Sequence, residues 1–329
     1  MMKTMEHKKG IVLVALKPGS FPAGGAEKVS AAGEGREVVV ASEQDEIAQY
    51  LDRIEIAAGD FPFSLISRAP NLRWVQLWSA GADWLQKYPE VKDLPFLLTT
   101  TSGMHGPQMA EHLFALLLAW CRALPKAFAA QRQHQWLKLG GGSLSLLDGK
   151  SMLILGYGSI GESAARAAAG FGMSVTGLRR NPPAGKADGT VRIVPSARLH
   201  DELPRADFVV NILPHTPETR GSFGKKEFEL MKNSAVYCNI GRGATTDETA
   251  LAEALERETI AGALLDVFGT EPLDPGSPLW DMENVIITGH YGGIRPDYGE
   301  KALEIFLDNL GRYTRGESLM NLVDKRQGY

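Results

Sequence analysis

The sequence predicts an α/β protein made of two doubly wound parallel-sheet domains, the second inserted into the first. Three observations carry this. The chain has 329 residues, too many for one ordinary core and right for two. From residue 151 onward, seven continuous apolar runs alternate with helical segments, the pattern of strands covered on both faces. After the seventh run a last helical segment is placed to rejoin the N-terminal part. Both chain ends then belong to one domain, residues 1–103 with 296–329, around an insert of residues 104–295.

In the first part, short apolar runs at 11–16, 38–41, 74–78 and 96–99 alternate with Gly/Pro-rich connections and read as strands, with helices over 45–53 and 63–68. A long helix over 109–123 follows, dense in Ala and Leu. Pro107 sits in its first turn, where the missing N–H costs nothing, and the helix ends before Pro125. The regular stretch then gives strands at 151–155, 174–178, 191–194, 207–213, 235–240, 260–267 and 285–288. Helices at 160–170, 197–203, 225–231 and 247–256 lie between them, and the last helix spans 297–315.

Hydrophobic residues at 44% and charged residues at 22% give the balance of a soluble globular protein, and a net charge of -4 offers no global field for nucleic acid. Cys121 and Cys238 are the only cysteines and match neither a CxxC nor a zinc spacing. They read as buried free thiols, which suits a reducing compartment. The run 11–16 is too short for a signal segment and 113–121 too short for a membrane span. The expectation is a cytoplasmic protein with no membrane, nucleic-acid or metal partner.

Gly156-Tyr157-Gly158-Ser159-Ile160-Gly161 follows directly on a predicted strand and opens a helix rich in alanine, with another strand beyond. That context turns a weak GxGxxG match into a dinucleotide-binding fingerprint. Gly156 allows the tight turn, Gly158 lets backbone approach a pyrophosphate, and Gly161 lets the helix lie close on the strand. The unpaired N–H groups at the helix start then face the anion. At the end of the following strand, where an NAD site carries an acid for the ribose hydroxyls, the chain has Arg179-Arg180. Two guanidiniums can clamp a 2′-phosphate, so NADP(H) is favoured over NAD(H).

Three further segments fall at successive strand ends: Asn239-Ile240-Gly241-Arg242-Gly243, Asp266 through Pro272, and Thr288-Gly289-His290-Tyr291. In an open parallel sheet the carboxyl-end loops bind ligands, so Arg242, Glu271 and His290 converge there. Their chemistry suits carbonyl reduction. A histidine delivers a proton near neutral pH, a carboxylate holds its ring and favours the imidazolium, and a fixed guanidinium stabilises charge growing on oxygen.

With these motifs, and with Leu213 to Arg220, Leu265 to Phe268 and Ser277 to Trp280 in the same order, the chain closely resembles the D-isomer-specific 2-hydroxyacid dehydrogenase family, most strongly over residues 73–324. The resemblance implies two Rossmann-like domains and reversible hydride transfer between a nicotinamide and a small 2-keto or 2-hydroxy acid, of the glyoxylate, hydroxypyruvate or related 2-ketoacid reductase type. It implies that Arg242 binds the substrate carboxylate and carbonyl, that His290 is the acid/base and that Glu271 is its partner. Asp266 would meet the nicotinamide carboxamide. Leu213, Pro214, His215 and Thr219, with Ile240 and Gly241, would line the cofactor, and the Ser79-Ala80-Gly81 turn would take the substrate carboxylate through backbone N–H groups.

The chain departs from the family pattern at Gly289, where proline is usual before the histidine, and at Tyr291-Gly292-Gly293. The segment 125–142, with Trp136, resembles the part by which family members embrace a second subunit and implies a homodimer. Among the other histidines, His105 and His112 read as structural or interfacial, and His134 and His200 as solvated. Two alternatives stay open: a dinucleotide-sensing corepressor-like binding protein, and a phosphite-type dehydrogenase.

Overall fold

The structure, a computed structural model, describes residues 10–17, 19–182 and 191–328. These divide into two compact units, one made of the described residues up to Met104 and from Arg295 on, the other of His105–Ile294.

The first unit opens with β1 (Ile11–Ala15), α1 (Gly25–Ala32), β2 (Val38–Ala41) and α2 (Gln44–Ala48), and continues through β3 (Ile54–Gly59), β4 (Trp74–Leu77) and β5 (Leu97–Thr99). The second unit contains α3 (Gly106–Cys121), α4 (Leu124–Arg132), β6 (Ser151–Leu155), α5 (Ser159–Gly170), β7 (Ser174–Arg179), β8 (Val191–Pro195) and α6 (Leu199–Glu202). It then runs through β9 (Phe208–Asn211), α7 (Lys225–Leu230), β10 (Val236–Asn239), α8 (Glu248–Glu256), β11 (Gly262–Leu265) and β12 (Val285–Ile287). The last helix, α9 (Tyr298–Thr314), belongs to the first unit.

Both sheets are wholly parallel. The first has strand order β2-β1-β3-β4-β5, and the second β12-β11-β10-β9-β6-β7-β8. Their central strands are largely apolar and buried, as sheets covered on both faces require, while the edge strands β2, β8 and β12 are partly exposed. In the first unit α9 lays Ala302, Leu303, Phe306 and Leu310 against Val12, Val14 and Trp74.

Several sequence expectations change. β3 was not foreseen, although it lies between β1 and β4. The helix expected over 45–53 stops at Ala48, and the segment 63–68 is 3₁₀ rather than α. Pro125 does not merely end a helix. Ala123 turns the corner in a left-handed conformation, φ 52°, and Pro125 occupies the first turn of α4.

The strand order of the second sheet reverses between β6 and β9, which places a crevice outside their carboxyl ends. The register sets Gly156, Arg179, Ile212, Ile240, Asp266 and Thr288 side by side along that edge, one residue past the pairs Leu155–Leu178, Leu155–Asn211, Asn211–Asn239, Asn239–Leu265 and Leu265–Ile287. Strands β9, β10 and β11 are shorter than expected, so Leu213, Ile240 and Asp266 stand in loops rather than in the sheet. Among the described residues no single helix is long and apolar enough to cross a membrane.

Candidate active site

At the fingerprint, Gly156 has φ 90°, and a Cβ there would press 2.9 Å from the Ile212 carbonyl oxygen, so only glycine makes this turn. Gly158 caps α5 with nothing within 4 Å of where a Cβ would be, which leaves room for a ligand against its backbone. Both features fit a pyrophosphate at the start of α5. The Tyr157 side chain is not available to it. Its ring is buried and packs on Gly177 of β7, and its N–H donates to the Leu178 carbonyl at 2.9 Å. Ser159 and Ile160 are partly exposed in the first turn of α5, and Gly161 rests on Tyr157 and Ile154.

Arg179 and Arg180 are exposed at the end of β7. Across the crevice, Glu218 is held below the usual carboxylate range, first by the Thr216 hydroxyl and more weakly by the Arg180 charge. Arg180 therefore faces the loop of Leu213, Pro214, His215 and Thr219. That loop is self-braced. The Thr219 hydroxyl donates to the Pro214 carbonyl at 2.6 Å and accepts from the Thr216 N–H at 2.8 Å, so it serves the loop's shape.

Below these loops lies a buried polar network that the sequence reading missed. Asn211 donates to the Tyr237 hydroxyl (2.8 Å) and to Thr245 Oγ1 (2.9 Å), while its Oδ1 accepts the Leu213 N–H. Tyr237 and Thr246 share a hydrogen bond of 2.6 Å, and Asn239 reaches Thr246 Oγ1 at 3.0 Å. Asn239 also accepts the Gly241 N–H and donates to the Arg242 carbonyl, which the Thr245 hydroxyl meets as well at 2.6 Å. The backbone under Arg242 is thus fixed from two sides. Gly243 completes it, because a Cβ there would fall 1.9 Å from the Phe268 carbonyl carbon. The available signal was an Asn ending each of two otherwise apolar strands.

The loops after β11 and β12 bring Glu271 and His290 together. His290 Nδ1 lies 2.6 Å from Glu271 Oε2, and Glu271 Oε1 accepts the Phe268 N–H at 2.9 Å. One carboxylate oxygen anchors the acid and the other holds the ring. Glu271 takes the Nδ1 proton as its hydrogen bond, which leaves Nε2 to exchange protons. The pair is open, with side-chain exposures of 47% for His290 and 35% for Glu271.

Asp266 is 1% exposed. Its Oδ1 accepts the Thr288 hydroxyl at 2.6 Å and the Tyr291 N–H at 3.3 Å, its Oδ2 accepts the Gly292 N–H at 3.1 Å, and its carbonyl takes the His290 N–H at 2.8 Å. Burial pushes this carboxyl up, but His112, Thr288 and the Gly292 N–H outweigh it and hold it below the usual range. The departures from the family pattern now separate. Nothing occupies the space beside Gly289, so packing does not demand glycine there, whereas a Cβ on Gly292 would lie 2.7 Å from the His112 ring and 2.9 Å from Asp266. His112, expected to be structural or interfacial, packs against Asp266, Thr288 and Gly292. Of the histidines read as solvated, His134 is exposed and His200 is paired with Glu227 at 2.8 Å.

In the first unit, the Ser79-Ala80-Gly81 turn follows β4. Ser79 offers its carbonyl to the Thr101 N–H, and the N–H groups of Ala80 and Gly81 have no acceptor among the described residues. Two free, neighbouring N–H groups are a fit receptor for a carboxylate.

Residues 114–292 match the family model for the NAD binding domain of D-isomer specific 2-hydroxyacid dehydrogenases. The chain is 34% identical over 269 residues to a glyoxylate reductase of Thermococcus litoralis, covering 79% of this chain and 80% of that one. Two solved structures superpose with a TM-score of 0.82 at 30% identity, each over 98% of this chain and 100% of the other. One is a D-isomer specific 2-hydroxyacid dehydrogenase from Xanthobacter autotrophicus in complex with NADPH and MES. The other is an NADPH-dependent glyoxylate/hydroxypyruvate reductase from Sinorhizobium meliloti in complex with NADP and sulfate.

Proposed function

Since the chain belongs to the D-isomer-specific 2-hydroxyacid dehydrogenase family, we propose that it reduces a small 2-ketoacid of the glyoxylate or hydroxypyruvate kind, with NADPH preferred to NADH. The observation that carries this reading is the His290–Glu271 pair, an acid/base oriented through Nδ1 beside the loop of a braced arginine. When bound, the reduced nicotinamide supplies the hydride. His290 Nε2 donates a proton to the substrate oxygen, and Glu271 stabilises the imidazolium and fixes its tautomer. Arg242 stabilises the charge growing on that oxygen and orients the carboxylate, from a backbone that Asn239 and Thr245 hold and with its Nη1 donating to the Gly241 carbonyl at 2.8 Å. The Ser79-Ala80-Gly81 N–H groups are assigned to the carboxylate and Asp266 to the nicotinamide carboxamide. In the reverse direction His290 accepts the alcohol proton.

The cofactor preference rests on Arg179 and Arg180, on the absence of an acid at the end of β7, and on the NADP(H) held by both similar structures. A cytoplasmic homodimer completes the reading. Trp136, 89% exposed, stands with exposed Phe128 and Leu137 in the segment assigned to the second subunit, and exposed Leu146 follows shortly after it. The test is the decay of reduced-nicotinamide absorbance with a panel of 2-ketoacids, run with NADPH and with NADH. Turnover of a small ketoacid, faster with NADPH, is expected. Cofactor binding with no ketoacid turned over overturns the reading and leaves a dinucleotide sensor or a phosphite dehydrogenase.

A further inference from the structure

We infer that His112 is a positioning residue for the acid/base loop, a role that rests on the dehydrogenase reading above. His112 lies on α3, far in sequence from the loop after β12, and its side chain is only 12% exposed. Its Nε2 is 3.0 Å from Thr288 Oγ1 and 3.3 Å from Asp266 Oδ1. The Thr288 hydroxyl already donates its proton to Asp266 at 2.6 Å. The contact therefore runs from the imidazole N–H to the threonine oxygen, and Nε2 carries the proton. The ring also meets Tyr291 edge-on, with centroids 5.2 Å apart and planes at 77°, and it touches Gly292 so closely that only glycine fits.

His112 thus grips the loop on both sides of His290. On one side it closes a triangle with Thr288 and Asp266. On the other it supports Tyr291 and Gly292, whose N–H groups Asp266 accepts. Between them stands His290 at φ 54°, a left-handed conformation that a residue with a side chain keeps only when its surroundings impose it. The Asp266 carbonyl takes the His290 N–H, and Asp266 in turn is oriented by His112. Losing the imidazole donor frees the loop that aims Nε2, while the cofactor fingerprint on α5 keeps its own supports.

The experiment compares His112→Leu, which removes the donor, with His112→Gln, whose amide N–H reaches the place of Nε2. In His112→Leu we expect kcat to fall about tenfold, as a small misplacement of a reacting group does, with KM and the NADPH Kd within about twofold of the parent. Amide hydrogen exchange in residues 288–294 accelerates in parallel, and His112→Gln restores both. Unchanged kcat and exchange in His112→Leu overturn the role, and so does an equal loss in the two variants. Should His112→Leu fail to fold, Thr288→Val keeps the shape while removing the hydroxyl bridge, and normal kcat and exchange in it overturn the proposal equally. If the parent protein turns over no ketoacid, the reductase reading falls on that assay alone, and the exchange comparison still decides whether His112 holds the loop.

Discussion

His290 and Glu271 lie 2.6 Å apart at the carboxyl end of the second sheet, and His112 and Asp266 lie 3.3 Å apart at the same edge. Each pairs a histidine with a carboxylate, glutamate in the first and aspartate in the second, and the surroundings are opposite. The first pair is open, at 47% and 35% exposure, and its carboxylate carries one backbone anchor and one imidazole. The second is closed, at 12% and 1%, and its carboxylate accepts a hydroxyl and two backbone N–H groups, with the imidazole 3.3 Å from one oxygen. A group that must exchange protons needs one free nitrogen facing the ligand. A group that must hold backbone needs its charge met by several donors, since an unpaired buried charge is costly. Burial and the number of donors separate the two.

Breaking the open pair should cost activity and spare the fold. His290→Gln is expected to lower kcat by about a thousandfold, within the range general acid–base catalysis supplies, with the melting temperature and NADPH binding unchanged. Steady-state kinetics beside calorimetry checks this, and near-parental turnover would remove His290 from the reaction. Arg242→Ala should show a similar loss, for want of the oxyanion's partner.

Breaking the closed pair should cost the fold as well as activity. Asp266→Asn turns one acceptor into a donor facing backbone N–H groups and should cost about 3 kcal/mol of stability. The pH dependence follows from the direction of the shift. The folded carboxyl sits below its ordinary range, so its stabilisation is present above the unfolded-state value near about 3.9 and is lost as pH falls through the lower folded value. The stability gap between parent and Asp266→Asn should be widest at neutral pH and narrow below about pH 4. A gap that is constant with pH would mean the carboxylate charge plays no part.

Glu271→Gln sharpens the contrast, since it keeps the shape of the open pair but removes the charge. A loss of about a hundredfold in kcat is expected, with the stability of the parent. Smallest is the cofactor switch. Replacing Arg179 by Asp together with Arg180 by Ala removes charged hydrogen bonds worth about 1.5–3 kcal/mol each and should shift preference toward NADH by tenfold or more. An unchanged ratio would place the 2′-phosphate elsewhere.

Much of this was legible in the sequence because chemistry and punctuation coincided there. Gly156 to Gly161 and the polar groups ending the apolar runs marked the edge of the sheet, and Arg242, Glu271 and His290 stood at successive strand ends. What escaped had physical reasons. β3 reads Ile-Glu-Ile-Ala-Ala-Gly, four of its six residues weak strand formers, and follows a helical pattern without a clear stop. Pro125 serves as well to begin a helix as to end one, and only the left-handed Ala123 decides. His112 sits on a helix whose other buried residues are apolar or small, where a lone histidine carries no sign of its partner. Asp266 and Thr288 lie more than 150 residues away, and nothing short of the fold brings them to it.

The first unit is discontinuous: its last helix, carrying Phe306 and Leu310 into the packing beneath β1 and β4, is joined to the rest only through the whole second unit. On the ribosome this inverts the usual order. The early strands emerge first, yet they wait for residues near the chain's end, while the dinucleotide unit, begun later, has all of its sequence sooner. The nascent chain therefore carries an N-terminal sheet whose packing against α9 is missing through much of its synthesis, and substitutions along α9 are expected to weigh more on yield during synthesis than on the turnover of the finished enzyme.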